Sequence, residues 1–171
     1  MSIVDLIADR VDRGMMCPLY PRAAGSSPRR AMFIAEGLWD FLHTSGSDDD
    51  WEDRKGTLLA DLEVFAEGQQ IGPKYLFLLY PSSEGVWEIR STRPDPSIRV
   101  LGRFLDKDIF VATNYALRDE LGGWQSRVWR DVKVMSRTVW TWLFHQHPPL
   151  ITTDVHRVVS GAIHGKYFKG V

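Results

Sequence analysis

Apolar residues recur at helical spacing in four stretches of the chain, three before residue 70 and one after 125, and at strand spacing in four stretches between them. Ser2, followed by Ile3, Val4, Leu6, Ile7 and Val11 with Asp5 three positions on, approximates a capping box and predicts a short amphipathic helix over 2–13. Pro18, Pro21, Gly25 and Pro28 then break the pattern, so 14–29 reads as an irregular or extended connection. Met32, Ile34, Ala35, Leu38, Trp39 and Leu42 predict a helix over 30–43. A stronger helix follows: Asp48 to Asp50 suit the positive end of its dipole, Trp51, Leu58, Leu59, Leu62, Phe65 and Ala66 form the stripe, and Gly68 caps it. Residues 30–68 therefore read as a helical hairpin.

The period changes at residue 75. Tyr75 to Tyr80 reads as a strand or a buried helical turn, Val86 to Arg90 as a strand, and Ile98 to Leu105 and Ile109 to Thr113 continue an antiparallel meander over 86–113. Alternation in 98–105 puts Arg99, Leu101, Arg103 and Leu105 on one face, and Ile98, Val100, Gly102 and Phe104 on the other, the core face. Val128 to His145 has helical character and stops at Pro148-Pro149; a short helix near 154–163 and a basic, flexible end complete the chain.

Composition narrows the class. With 171 residues, 44% hydrophobic and 25% charged, the chain fits one globular domain and not a disordered or collagenous one. Cys17 is the only cysteine, which excludes an internal disulfide and a four-cysteine zinc site. The absence of a long apolar run or a basic-then-apolar leader predicts a cytoplasmic protein with no membrane partner. The net charge of −1 conceals an asymmetry: residues 36–67 hold ten acids against Arg54 and Lys55, while 1–35 sum to +2 and 68–171 to +5. The acids are either solvated helix faces or the counterpart of a basic face for a polyanion.

Candidate chemistry centres on 87–118. Arg99 and Arg103 share a strand face, Arg90 lies on the neighbouring strand, and Trp87 and Tyr115 are near, a combination that grips phosphates bidentately and stacks on bases. The alternative is a solvated sheet face with Arg90 paired to an acid such as Asp106. His145-Gln146-His147, His156 and His164 lack a carboxylate set, so no metal is expected, and Cys17 lacks a histidine partner. Trp124, Trp129, Trp140 and Trp142 crowd one 19-residue stretch, where one helix face cannot bury all four; they are candidates for binding a partner.

Two helices with an acidic, leucine-bearing second member, then Trp87-Glu88-Ile89-Arg90, Ile98-Arg99-Val100-Leu101, and Ile109-Phe110-Val111 leading to an aromatic-basic segment, resemble the RelE/HigB-like toxins of toxin–antitoxin systems, especially their phage-derived branch. The resemblance covers about residues 36–120. It implies an α+β fold with N-terminal helices packed on a small antiparallel sheet, RelE-like, and a C-terminal helical extension. On that reading 1–29 is an N-terminal helix and connection, 30–123 the RelE-like core, and 124–171 a Trp-rich helical extension packed on the same domain.

The function implied is ribosome-associated endoribonuclease action on messenger RNA without metal or other cofactor, with RNA or the ribosome and an antitoxin protein as partners. Arg90, Arg99, Arg103, Tyr115 and Arg118 would be catalytic, and Lys107, Arg127, Arg130 and Lys133 would bind RNA. One departure stands out: Asn114 to Arg118 occupies the place of a histidine and lysine-rich run, and no histidine lies between His43 and His145. Tyr115 or Lys107 would then have to move protons. The competing reading is a non-catalytic phage or mobile-element protein that binds a host protein or nucleoprotein complex through the Trp-rich stretch and the basic sheet; a third keeps the toxin fold but directs it at gyrase.

Overall fold

In the computed structural model, which describes residues 1–22, 29–46, 48–91, 93 and 97–169, the strands are β1 (Met16–Pro18), β2 (Ala31–Ala35), β3 (Leu76–Leu78), β4 (Trp87–Arg90), β5 (Ile98–Asp106) and β6 (Ile109–Leu117). They form one sheet in the order β1-β2-β6-β5-β4-β3, antiparallel throughout except where β2 runs parallel to β6. The helices among the described residues are α1 (Ile3–Asp12), α2 (Glu36–His43), α3 (Asp49–Ala66), α4 (Arg118–Leu121) and α5 (Arg127–Phe144). The fold is α+β. None of these helices is long and apolar enough to cross a membrane.

Local chemistry explains most boundaries. Ser2 and Asp5 exchange the reciprocal bonds of a capping box at α1. Asp48 accepts from the Asp50 N–H at the start of α3, and Ser126 from the Trp129 N–H at the start of α5. Two boundaries differ from the sequence pattern. Residues 31–35 are a strand, so the helical hairpin spans 36–66; Met32, Ile34 and Ala35 fit either period, and the ladders offered by β1 and β6 decide it. Within 14–29, residues 16–18 form an edge strand that tolerates Pro18 at its end.

Helix α3 covers one sheet face with a continuous core that includes Leu58, Leu62, Phe65, Trp87, Phe104 and Phe110. Phe104 meets Trp87 edge-on at 5.6 Å and Phe110 at 5.0 Å. Ile98, Val100 and Phe104 do face this core. The opposite β5 face is not solvated, however: α1 and α5 roof it, and Leu101 and Leu105 are buried there in two separate clusters.

The chain end is also ordered differently from the expectation. A single 3-10 turn (Val155–Arg157) stands in place of a helix over 154–163. Val155, Val158, Val159 and Tyr167 join the α3-side core, and the Tyr167 hydroxyl donates to the Ile163 carbonyl at 2.7 Å. Buried Arg30 ties this tail to the end of α3, donating to the carbonyls of Phe65 at 3.0 Å and Ser160 at 2.9 Å.

Candidate nucleic-acid interface

The β4–β5 register sets Arg90 directly opposite Arg99. Residues opposed across antiparallel strands project from the same face, with Cβ atoms about 5 Å apart, and like charges there repel. Arg118 joins them because its N–H bonds to the Ser97 carbonyl at 2.9 Å, which brings the start of α4 beside the start of β5. These three arginines line one cleft of about 240 Å³ together with Lys133, Lys169, Glu88 and the rings of Phe77, Tyr80, Trp124 and Trp129. Five cations therefore face one carboxylate.

Each cation is held differently. Arg90 donates through Nε to Glu88 at 2.7 Å and lies 4.2 Å over the Phe77 ring. Lys133, buried on α5, donates to the Tyr80 carbonyl. Burial pulls its pKa down, partly opposed by Glu84 and reinforced by Arg137 and Arg130. Lys169 sits 4.5 Å over Trp124, which meets Tyr80 edge-on at 5.3 Å.

Arg99 is the exception. Its Nε and Nη1 are buried and have no hydrogen-bond partner among the described residues, as is true of Glu88 Oε2. Burial lowers the Arg99 pKa, Glu88 opposes that, and Arg90 and Arg118 add to it. A desolvated guanidinium without a partner is costly, and an anion arriving in the cleft would satisfy it.

A second cleft of about 490 Å³ adjoins the first, sharing Tyr80, Trp124 and Lys133 and adding Glu84, Arg130 and Arg137. Arg130 and Lys133, expected to bind RNA, therefore lie on this basic surface. Arg127 is exposed and pairs with Asp131 at 3.8 Å, outside both clefts.

Arg103, Tyr115 and Lys107 do not join Arg99. Arg103 is only 8% exposed, beneath α5, where it donates to the Glu84 carbonyl at 2.5 Å and lies 5.4 Å from the Trp140 ring. Burial and the Arg137 charge push its pKa down to about 10, against the pull of Glu84. Tyr115 faces the other side of the sheet and stacks on Phe41 at 3.8 Å. The cause is a bulge: Leu101 pairs with Asn114 but Gly102 with Ala112, so Thr113 is an extra residue that turns Tyr115 over. Lys107 occupies the β5–β6 turn, eight residues from Arg99 and thus roughly 26 Å away along the strand.

The tryptophans divide. Trp140 is buried and donates to the His147 carbonyl at 3.0 Å, and Trp129 is core at the wall of the first cleft, so neither offers a free surface; Trp124 and Trp142 are exposed. Sequence reasoning misses Glu88, Tyr80 and Lys169 as site residues. Glu88 carries a usable signal, since it precedes Arg90 by two and must share its face; nothing in the sequence ties Lys169 to Trp124. No group of three His, Cys, Asp or Glu side chains that could hold a metal ion occurs among the described residues.

Comparison with known proteins gave no matching family model, no matching curated protein and no matching solved structure.

Proposed function

We propose that the chain binds single-stranded RNA in the Arg90–Arg99–Arg118 cleft and cleaves it without a metal, as a toxin-like ribonuclease that acts at the ribosome and is neutralised by an antitoxin. The observation that carries this reading is Arg99, which lines a cleft with four further cations and stacking rings and whose Nε and Nη1 are buried without a hydrogen-bond partner among the described residues. Supporting it, two helices precede three meandering strands that bear Trp87-Glu88-Ile89-Arg90, Ile98-Arg99-Val100-Leu101 and Ile109-Phe110-Val111, the order on which the resemblance to RelE/HigB-like toxins rests.

With Tyr115 and Lys107 elsewhere, Glu88 is the proton acceptor of the cleft. In the proposed reaction a ribose 2′-hydroxyl attacks the adjacent phosphorus and gives its proton to Glu88. The bond from phosphorus to the 5′-oxygen breaks, leaving a cyclic phosphate, and the departing oxygen takes a proton from Lys133, which burial makes a readier acid. Arg90, Arg99 and Arg118 carry the charge on the phosphate oxygens.

The test is tightly controlled induction of the wild type and Arg99→Met, with growth followed and RNA ends mapped by primer extension. Arrest with new RNA ends in the wild type, both lost in the variant at equal protein level, supports the reading. Normal growth with intact RNA overturns it. A second reading, a non-catalytic binder of a host protein, rests on the exposed Val134, Met135 and Trp142 of α5; it expects a host partner that co-purifies and is released by Trp142→Ala.

A further inference from the structure

We infer that the bound strand passes from the arginine cleft across Trp124 into a second anion subsite on α5, so that the ligand is a single strand with at least two successive phosphates and not a mononucleotide. This rests on the reading above and extends it to a substrate class. Arg130, Lys133 and Arg137 recur three and four residues apart, which places them in one row on α5. They line the second cleft beside a single acid, Glu84, whose Oε1 already pairs with Arg137 at 3.3 Å. Behind the wall the Nε atoms of Arg137 and of Arg103, and Oε2 of Glu84, are buried and without a partner among the described residues, so two cations there share one acid.

The ridge between the clefts is aromatic. Trp124, 43% exposed and braced edge-on by Tyr80, belongs to both linings, and a base would stack on its ring by taking the place that Lys169 holds over it. Stacking there tolerates any base, whereas a base inside a duplex is already stacked on its neighbours. Lys133, also common to both clefts, sits where the connecting backbone would cross.

The experiment measures fluorescence anisotropy with 2′-O-methyl oligouridylates of one, two and four nucleotides, which cannot be cleaved, over a range of salt. The tetranucleotide is expected to bind wild type about tenfold or more tighter than the mononucleotide, as an added set of charged contacts implies. Arg130→Ala and Arg137→Ala should each remove most of that gain, change mononucleotide affinity far less than tetranucleotide affinity, and flatten the salt slope by about 0.7. Arg130 makes no ion pair among the described residues, so its variant tests the subsite without disturbing Glu84; melting curves confirm that both variants are folded. Equal affinity for all lengths, or tetranucleotide binding that both variants retain, overturns the second subsite while the arginine cleft stands. If no probe binds at all, the proposed function falls with it.

Discussion

On the α3 side of the sheet the named buried charges are satisfied: Arg30 donates to three carbonyl groups, Lys55 to Thr44 at 2.8 Å, and Glu63 faces Arg22 at 3.2 Å. On the α5 side the apolar contacts split into two clusters, with polar groups between them. Thr113 and Ser136 share a hydrogen bond at 2.7 Å and Asn114 donates to the Val132 carbonyl at 3.0 Å. In the same layer Arg99, Arg103, Arg137, Glu84 and Glu88 keep buried polar atoms without partners among the described residues, against the neutral Trp87 Nε1 on the α3 side. Leaving such atoms unsatisfied works against folding. The contrast therefore assigns stability to one face and recognition to the other, since an incoming anion can recover there what folding leaves unmade.

The largest effect should come from Phe104→Ala on the α3 side. Phe104 is fully buried among Phe65, Trp87 and Phe110, so its truncation should cost about 3–5 kcal/mol. At about 2–4 °C per kcal/mol for a chain of this size, Tm should fall by at least about 6 °C. The fraction still folded should bind RNA as the wild type does. A loss below about 1 kcal/mol in a denaturant melt would contradict the continuous core on the α3 side.

Arg99→Met should show the opposite balance. Removing a desolvated cation that lacks hydrogen-bond partners relieves a folding penalty, so Tm should be equal to or above that of the wild type. RNA affinity should fall about tenfold or more with the loss of a charge-assisted contact. A variant that melts earlier and binds normally would make Arg99 a structural residue and dissolve the contrast between the faces.

Parts of this division are legible in the sequence alone. Strict alternation in Ile98–Leu105 identifies the α3-side face, and Glu88 and Arg90 share the cleft face because they are two apart on one strand. The rest depends on non-local information. Residues 31–35 become a strand only because β1 and β6 lie on either side to pair with them. Alternation makes Arg103 look solvated because the helix covering it begins 24 residues later, at Arg127. Tyr115 also falls on the opposite face from Arg99, because one extra residue at Thr113 reverses the pattern; the isolated Gly102 at the register shift is the local signal of that bulge. The tail reads as flexible because Tyr167 and Lys169 find their partners, Ile71 and Trp124, far back in the chain.

A smaller, graded effect should follow pH. Burial holds Lys133 below the ordinary lysine value of 10.5. Its penalty is present while it is charged and is relieved as pH rises through the folded-state value, so this group makes the unliganded protein more stable with rising pH. RNA affinity should move the other way, because the cleft loses a cation over the same range. In Lys133→Arg the charge persists and the affinity should decline less steeply, at constant ionic strength. Affinity that holds steady in the wild type until tyrosines titrate would remove Lys133 from the contact set.

The smallest effect is expected from Lys107→Ala, and it separates geometry from mere charge. Lys107 lies roughly 26 Å from Arg99 along the β5 strand, about three Debye lengths at physiological ionic strength, where the screening length is about 8 Å. If the cleft grips phosphates by contact, removing Lys107 should change affinity less than about twofold and leave the salt slope unaltered, while Arg99→Met flattens the slope by about 0.7. Arg127→Ala, which removes an exposed and ion-paired residue outside both clefts, should behave like Lys107→Ala. Should either variant flatten the slope as much as Arg99→Met does, RNA is held by the diffuse positive field of residues 68–171, and the unpartnered groups on the α5 side would need another explanation.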